Sequence, residues 1–259
     1  NKLDFNLTND QVKTLDDINN DLSSSNKMFR LLQGDVGSGK TIVSLLGAIN
    51  TINSGFQVAF MAPTEILARQ HYNLANKIFP SDINIELISG KSEYKVKKEI
   101  LKKLENNKID IIFGTHAIFQ KKVIFKKLGL IIIDEQHKFG VNQRKKLSDK
   151  GGNDCDVLLM TATPIPRTLT MTIYGDMDIS IIREKPKNRK PIKTYSKLEA
   201  KIEDVLKFIK KEIQLNNQIF WVCPLIEESK KLDHASAVKK FEYLEKKFPN
   251  QVCLLHGKT

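Results

Sequence analysis

Residues 29–41 constrain the fold more than any other stretch, because an apolar run is followed there by a glycine-rich loop and a helical pattern. The apolar run predicts a buried strand. The loop has the spacing Gly34, four residues, Gly39, Lys40 and Thr41, which is typical of a phosphate-binding loop between a strand and a helix. Backbone N–H groups of such a loop turn towards phosphate oxygens, and the helix N-terminus adds positive partial charge. The sequence therefore predicts a site for a nucleoside triphosphate.

The residue types of this loop also predict which groups contact the nucleotide. Lys40 is expected to reach the β- and γ-phosphates, and the Thr41 hydroxyl is expected to ligate Mg²⁺. The alternative is a glycine-rich turn before a helix, with Lys40 merely solvated. The residues expected to line the nucleotide are Gly34, Gly37, Ser38, Gly39, Lys40 and Thr41.

Two carboxylates follow the apolar run at residues 128–133. Asp134 is placed to hold Mg²⁺ opposite Thr41. Glu135, the next residue, is placed to polarise a water for in-line attack on the γ-phosphate. Acidic pairs also end strands for structural reasons, but the phosphate-binding loop upstream favours the catalytic interpretation.

Apolar runs alternate with helical patterns along most of the chain. A first helix is expected to carry Val12, Leu15, Ile18 and Leu22 on one stripe, with Thr8 as its N-cap. Further strands are predicted at residues 57–61, 83–88, 109–113, 128–133 and 157–160, and helices at 65–78 and 92–106. Because the runs are continuous, the strands should be covered on both faces. The expected fold is a doubly wound parallel α/β sheet with its ligand at the carboxyl ends of the strands.

A change in composition predicts a domain boundary. Residues 183–191 combine two prolines with a dense run of charges, which indicates a linker. We expect a first domain at residues 1–185, a linker at 186–191 and the beginning of a second α/β domain at 192–259. In this last part, strands are predicted at residues 192–195, 219–223 and 252–255, and helices at 199–215 and 234–248.

The overall charge favours a polyanionic partner. The net charge of +12 makes nucleic acid a plausible one, although the basic pattern at residues 92–106 also suits a solvated helix face. No apolar stretch approaches the length of a membrane span, and the N-terminus has no apolar signal core. The three isolated cysteines have no metal-ligand spacing and predict small buried side chains in a cytoplasmic protein.

The residues that follow Glu135 carry a resemblance. Residues 134–137 resemble the second motif of the second large helicase superfamily. Thr8 and Gln11 resemble its nucleotide-sensing motif, in which the glutamine reads the adenine edge. Residues 62–68 and 114–116 resemble its contacts to the DNA backbone, and 161–163 its coupling motif. The resemblance assigns DNA contact to Pro63, Thr64, Gly114, Thr115 and His116, and coupling to Thr161 and Thr163.

The finer match is to the RecG family of ATP-dependent DNA helicases. The segments that resemble this family are residues 32–41, 133–144, 160–169, 171–176, 221–229 and 254–257. The resemblance implies RecA-like domains, ATP and Mg²⁺ as cofactors, and a monomeric motor that remodels branched DNA in repair and recombination, with no membrane partner. It further assigns a catalytic role to His137, DNA contact to Arg144 and coupling to Arg167.

Two departures from the family pattern shape the expectation. The chain begins just before the nucleotide-sensing motif, without the family's branch-recognising wedge domain. The arginine that reaches the γ-phosphate from the second domain would lie beyond Thr259. We therefore expect a motor core that binds ATP and hydrolyses it poorly by itself.

Several alternatives stay open at this point. A transcription–repair coupling type of double-stranded DNA translocase shares residues 164–167, and a nucleotide-binding module without motor activity or an RNA-directed helicase are further possibilities. Thr64 suits an N-cap as well as a phosphate contact, and the two roles are compatible. His116 also suits a loop histidine bonded to backbone.

Overall fold

The computed structural model describes residues 5–90, 94–120, 122–135, 155–163, 177–184, 192–223 and 230–255. The chain divides into two compact units, Asn1–Lys190 and Pro191–Thr259. The described elements of the first unit are α1 (Asn9–Leu22), β1 (Phe29–Gly34), α2 (Lys40–Asn53), β2 (Gln57–Met61), α3 (Glu65–Ile78), β3 (Ile85–Ile88), α4 (Tyr94–Glu105), β4 (Ile111–Gly114), a 3-10 turn (His116–Phe119), β5 (Leu128–Ile133), β6 (Asp156–Thr161) and β7 (Asp178–Ile182).

The strands of the first unit form one parallel sheet. Within the described residues seven strands pair in the order β3-β4-β2-β5-β6-β1-β7, and every pairing is parallel. Leu31 of β1 lies opposite Leu159 of β6, and Ile131 of β5 lies opposite Ala59 of β2. The predicted doubly wound parallel sheet is confirmed.

The continuous apolar runs serve the two faces of this sheet. On β5, Leu130 and Ile132 belong to a buried cluster that also contains Val43 of α2. Ile131 and Ile133 point to the opposite face and join a second buried cluster. Because neighbouring residues of a strand face opposite sides, burying both faces requires every position to be apolar.

The first helix begins as expected and buries a different stripe. Thr8 caps α1, and the capping box with Gln11 is complete. The buried positions are Gln11, Thr14 and Ile18, whereas Val12 is exposed. The predicted stripe was therefore wrong at Val12, because the buried face runs through positions spaced three and four residues apart from Gln11.

The edge strand β7 was not predicted from the sequence. Its residues alternate in burial, and Ser180 is a polar core position. Arg30 of β1 donates to Asp21 at 2.6 and 3.0 Å and to Ser180 Oγ at 2.8 Å. Ser180 in turn donates to Asp17 at 2.8 Å. This network of charge-assisted hydrogen bonds joins β1 and β7 to α1. Because polar side chains hold β7 in place, its sequence lacks the apolar periodicity from which the other strands were predicted.

The described part of the second unit is helical. It contains a 3-10 turn (Glu199–Lys201), α5 (Ile202–Gln214) and α6 (Lys230–Lys247). Its buried core consists of Leu206, Ile209, Leu244 and Phe248. Trp221 packs against this core half-buried.

Three predicted strands are absent from the described residues of this unit. Residues 192–195, 219–223 and 252–255 are not paired in any ladder, and Phe220 is 81% exposed. An apolar run becomes a β-strand only when a neighbouring strand forms hydrogen bonds with its backbone N–H and C=O groups. The apolar composition of these three runs does not show whether such a neighbouring strand exists.

The burial of the cysteines differs from the prediction. Cys155 is buried as expected, but Cys253 is exposed, so the prediction of three buried cysteines was wrong. Cys253 lies in one of the runs that form no strand pairing among the described residues. Across the parts of the chain that the structure describes, no helix is long and apolar enough to cross a membrane.

Candidate nucleotide and nucleic-acid site

The sheet order collects the predicted site residues at one edge. Strands β1, β6 and β5 are neighbours. The phosphate-binding loop follows β1, Thr161 ends β6, and Asp134 follows β5. Strands β2, β4 and β3 form the other half of the sheet, and Thr64 and Thr115 follow two of them. Ligands of open α/β sheets bind at this edge. The topology therefore separates the residues predicted to bind nucleotide, in what we call the nucleotide half, from those predicted to contact nucleic acid, in what we call the nucleic-acid half.

The phosphate-binding loop has the backbone that its glycines allow. Gly37 and Gly39 have φ angles of 75° and 93°, in the left-handed region. A Cβ atom at Gly39 would also lie 2.2 Å from Nε2 of Gln11. Only glycine combines this conformation with this close approach. Gly34 is similarly confined, since a Cβ there would lie 2.5 Å from Ser38 Oγ.

Ser38 supports the assignment of this loop to an anion. The residue is 1% exposed, and its Oγ has no hydrogen-bond partner among the described residues. Leaving a buried hydroxyl unpaired costs about 1–3 kcal/mol. A phosphate oxygen would satisfy this group, so the loop fits the ligand that its spacing predicts.

Lys40 is held over the loop rather than extended into solvent. Its Nζ donates to the carbonyl oxygens of Gly34 at 2.6 Å and Asp35 at 3.1 Å. Burial lowers the pKa of Lys40, and the nearby carboxylates of Glu135, Asp134 and Asp35 oppose that shift. The structure thus contradicts the interpretation of Lys40 as a merely solvated side chain.

Gln11 connects the first helix to the phosphate-binding loop. It is 3% exposed, and its Nε2 donates to the carbonyl oxygen of Ser38 at 2.7 Å. Its Oε1 accepts from the backbone N–H of Thr8 at 2.9 Å. Both ends of the amide therefore have a protein partner. The role of Thr8 and Gln11 in reading adenine stays a prediction.

The start of α1 is also tied to the end of β7. The carboxylate of Asp10 accepts from the backbone N–H groups of Arg183 at 2.8 Å and Glu184 at 2.9 Å. The hydrogen bond from Glu184 is the largest cause of a lowered pKa of Asp10, and the hydrogen bond from Arg183 is the second. The neighbour of Gln11 is thereby fixed to the segment that precedes the predicted linker.

Asp134 is a buried carboxylate with a partner that sequence reasoning missed. It is 8% exposed, and its Oδ2 lies 2.8 Å from Nε2 of His71. Its backbone N–H donates to the carbonyl oxygen of Met61 at 2.8 Å. His71 lies on α3 in register with the buried residues Ala68 and Ala75. A histidine at a core position of a helix was the available signal.

Glu135 has an unusual backbone. Its φ angle is +51°, although non-glycine residues seldom adopt the left-handed region. Such conformations cost about 1–3 kcal/mol and cluster at active sites, where they direct a side chain. The strained residue coincides with the one predicted to polarise water.

The residues present fit a magnesium ion shared with phosphates. No group of three or more His, Cys, Asp or Glu residues able to hold a metal occurs in the described parts of the chain. Mg²⁺ is commonly bound by one or two carboxylates together with substrate phosphates and waters. Asp134 at the end of β5 and Thr41 in the first turn of α2 provide a donor set of this kind.

Thr64 was predicted to act as an N-cap, as a phosphate contact or as both, and the structure shows the N-cap. Its Oγ1 accepts from the backbone N–H of Leu67 at 3.3 Å, so it caps α3. Thr64 and His116 are exposed, whereas Pro63 and Thr115 are half-buried. Contact of these residues with DNA stays a prediction.

Gly114 has a structural role at the end of β4. A Cβ atom there would lie 2.7 Å from Ile88 Cγ2, 2.8 Å from the Ile88 carbonyl oxygen and 2.9 Å from Ile118 Cγ1. We expect Gly114→Ala to lower the free energy of unfolding by roughly 1–3 kcal/mol through overpacking. Denaturant titration measures this loss.

Gly90→Ala is the matched control, because the contact of a Cβ there with the described residues would be an ordinary one, to Glu65 Oε2 at 3.7 Å. It should change the stability by less than about 0.5 kcal/mol. Equal stabilities of the two variants would show that β4 has room at Gly114.

The predicted coupling residues form a local turn. The backbone N–H of Thr163 donates to Thr161 Oγ1 at 3.1 Å, and Thr161 is fully buried at the end of β6. Their role in coupling stays a prediction. His137, Arg144 and Arg167 lie outside the described residues.

Comparisons with known proteins agree with the motif analysis. The sequence profile of the DEAD/DEAH box helicases matches residues 8–172. The chain is 48% identical over 259 residues to the ATP-dependent DNA helicase RecG of Bacillus subtilis (strain 168), covering 99% of this chain and 38% of that protein. It is 48% identical over 260 residues to RecG of Aquifex aeolicus (strain VF5), covering 99% and 33% respectively.

A solved structure extends the likeness to three dimensions. The chain matches the structure of RecG bound to a three-way DNA junction with a TM-score of 0.80 and 41% identity, over 95% of this chain and 32% of that one. The RecA-like fold and the resemblance to the RecG family are thereby confirmed. The chain spans about a third of the length of these relatives.

Proposed function

The chain belongs to the DEAD/DEAH box helicase family, and from that premise we propose that it is the motor core of an ATP-dependent DNA helicase that remodels branched DNA in repair and recombination. The observation that carries this proposal is the position of Lys40, which follows β1 and its loop, relative to Asp134 and Glu135, which follow β5. One strand separates β1 from β5 in the sheet. This arrangement supports a site that binds and hydrolyses a nucleoside triphosphate at one edge of the sheet.

The proposed chemistry uses ATP with Mg²⁺. Lys40 and the loop N–H groups hold the phosphates, and Gln11 reads the adenine edge. Mg²⁺, ligated by Thr41 and Asp134, would neutralise the charge that develops on the phosphates. Glu135 polarises the attacking water.

The proposed DNA contacts lie at the other half of the same edge. Pro63, Thr64, Thr115 and His116 follow β2 and β4, where exposed hydroxyl and backbone groups suit phosphate oxygens. A RecG structure contains a three-way DNA junction, which supports branched DNA as the substrate here. Contacts to the DNA backbone make binding insensitive to sequence and sensitive to salt.

The remaining assignments complete the motor. His137 would act beside the γ-phosphate, Arg144 would contact DNA, and Arg167 would act with Thr161 and Thr163 in coupling. We propose a first RecA-like domain at residues 1–185, a linker at 186–191 and the start of a second RecA-like domain at 192–259. The division into two compact units between Lys190 and Pro191 supports this arrangement.

The experiment that tests the proposal is Mg-ATP turnover by the chain with forked DNA, duplex DNA, RNA or no nucleic acid, beside a nucleotide-binding titration. We expect nucleotide binding, and DNA binding that weakens by at least about tenfold between 50 and 200 mM salt. Forked DNA should bind more tightly than duplex DNA or RNA, or it should stimulate turnover more strongly than they do.

Each other outcome has a definite meaning. Stimulation by RNA alone would indicate an RNA-directed helicase, and equal stimulation by duplex and forked DNA would indicate a double-stranded DNA translocase. Nucleotide binding without any affinity for nucleic acid would indicate a binding module and would contradict the proposal.

A further inference from the structure

We propose that His71 is a positioning residue that orients the carboxylate of Asp134 for the Mg²⁺–nucleotide complex. The inference rests on the proposed function, since it concerns the same site. It goes beyond it because His71 lies in none of the segments assigned to nucleotide or metal. The observation that carries it is the buried hydrogen bond of 2.8 Å between His71 Nε2 and Asp134 Oδ2.

The fold presents His71 to Asp134 from a rigid helix. His71 is 9% exposed and lies on the face of α3 that packs on the sheet. Its ring packs against Phe60 of β2, with ring centroids 4.8 Å apart and an angle of 42° between the planes. β2 lies beside β5, whose end leads into Asp134. The imidazole is thus held against the strand pair that delivers the carboxylate.

The chemistry of the pair fixes the direction of the hydrogen bond. An ionised carboxylate only accepts hydrogen bonds, so the Nε2 atom of His71 must carry the hydrogen when Asp134 is charged. The bond uses one acceptor site of Oδ2 and leaves the remaining lone pairs of the carboxylate for a cation. A ligand's hydrogen-bonded partner commonly sets its orientation in this way.

Asp134 needs such a restraint because its own torsion is soft. The second side-chain torsion of aspartate has a broad distribution rather than staggered wells. The backbone of Asp134 is fixed by the hydrogen bond from its N–H to Met61, but that bond does not set the plane of the carboxylate. The hydrogen bond with His71 does set it, because it fixes one of the two carboxylate oxygens.

A purely structural role for His71 makes a different prediction. If the imidazole only fills space between α3 and Phe60, an apolar ring of similar size should preserve metal binding. If it positions Asp134, the hydrogen-bond donor is the important part. Three substitutions separate the two roles by where they place a donor.

The variants are His71→Gln, His71→Asn and His71→Phe. The amide nitrogen of glutamine can reach the position of Nε2, that of asparagine only the position of Nδ1, and phenylalanine keeps a ring without a donor. The readout is Mn²⁺ binding to the chain with a non-hydrolysable ATP analogue, followed by electron paramagnetic resonance. Nucleotide affinity in EDTA and the melting temperature are measured for each variant.

We expect His71→Asn and His71→Phe to weaken Mn²⁺ binding by about 10- to 100-fold, the usual effect of losing the partner of a metal ligand. His71→Gln should restore it to within about threefold, since the donor is returned. Nucleotide affinity in EDTA should stay near that of the unmodified chain in all three.

Two results would overturn the inference. One is a folded His71→Phe variant that binds Mn²⁺ as the unmodified chain does. The other is a His71→Gln variant that is no better than His71→Asn, a comparison that remains decisive if the phenylalanine variant does not fold. Failure of the unmodified chain to bind nucleotide would instead contradict the proposed function.

Discussion

Replacing Lys40 with alanine should lower the affinity of the chain for Mg-ATP by about 100- to 1,000-fold. The ammonium group is held beside the loop by the carbonyl oxygens of Gly34 and Asp35, where a triphosphate would receive its hydrogen bonds. Hydrogen bonds to charged groups contribute about 1.5–3 kcal/mol each, and two of them in the lower half of this range account for this loss. Titration with a fluorescent ATP analogue measures the affinity.

Lys98→Ala is the matched control for Lys40→Ala, because Lys98 is an exposed lysine of α4. It should leave nucleotide affinity unchanged. Lys40→Met, which keeps most of the buried alkyl chain, separates loss of charge from loss of packing and should bind as poorly as Lys40→Ala. Normal affinity of a folded Lys40→Met variant would show that the loop binds phosphate without this cation.

Replacing Glu135 with glutamine should lower the rate of Mg-ATP turnover by at least about 100-fold. A positioned general base contributes about 10²–10⁴ in rate, and glutamine has the shape of glutamate without its basicity. The left-handed φ of +51° is equally accessible to both residues, so the backbone should not change. Nucleotide affinity should stay within about threefold, because the loop and Lys40 are intact.

Because the chain is expected to hydrolyse ATP slowly by itself, single-turnover hydrolysis with the chain in excess over ATP tests this expectation together with nucleotide titration. Glu105→Gln, at the exposed end of α4, is the control and should hydrolyse ATP at the normal rate. Unimpaired turnover by Glu135→Gln would assign the base to another residue. Equal losses of affinity and turnover would place Glu135 in binding instead.

The two halves of the sheet edge give the site its organisation. The strand order inserts β5 and β6 between β1 and β2, so the chain crosses over two strands after the phosphate-binding loop. This crossover places Asp134 and Glu135 in the half that contains the phosphate-binding loop, and it places Thr64 and Thr115 in the other half.

Local patterns were sufficient wherever a residue's neighbours in the chain decide its structure. The phosphate-binding loop is specified by Gly37 and Gly39, whose backbone angles only glycine adopts freely. The strand β5 and the cap at Thr8 were also predictable, because burial on two faces and a capping side chain have local signatures.

Patterns failed where a distant partner decides the structure. The edge strand β7 is held by Arg30 and Ser180 through hydrogen bonds that have no sequence period. The run at residues 219–223 has the composition of a strand but is paired with no neighbour among the described residues. For β7 the deciding interactions join residues far apart in sequence, and for residues 219–223 the described chain provides no such partner.

The sequence by itself determined the family, the nucleotide loop and the acidic pair, because each depends on residue types at fixed short spacings. Only the tertiary structure decided that His71 meets Asp134 across 63 residues and that Gln11 reaches the loop across 27. These contacts arise when helices pack on a sheet whose strand order differs from the order of the chain. Packing of that kind joins residues whose separation in sequence has no fixed value.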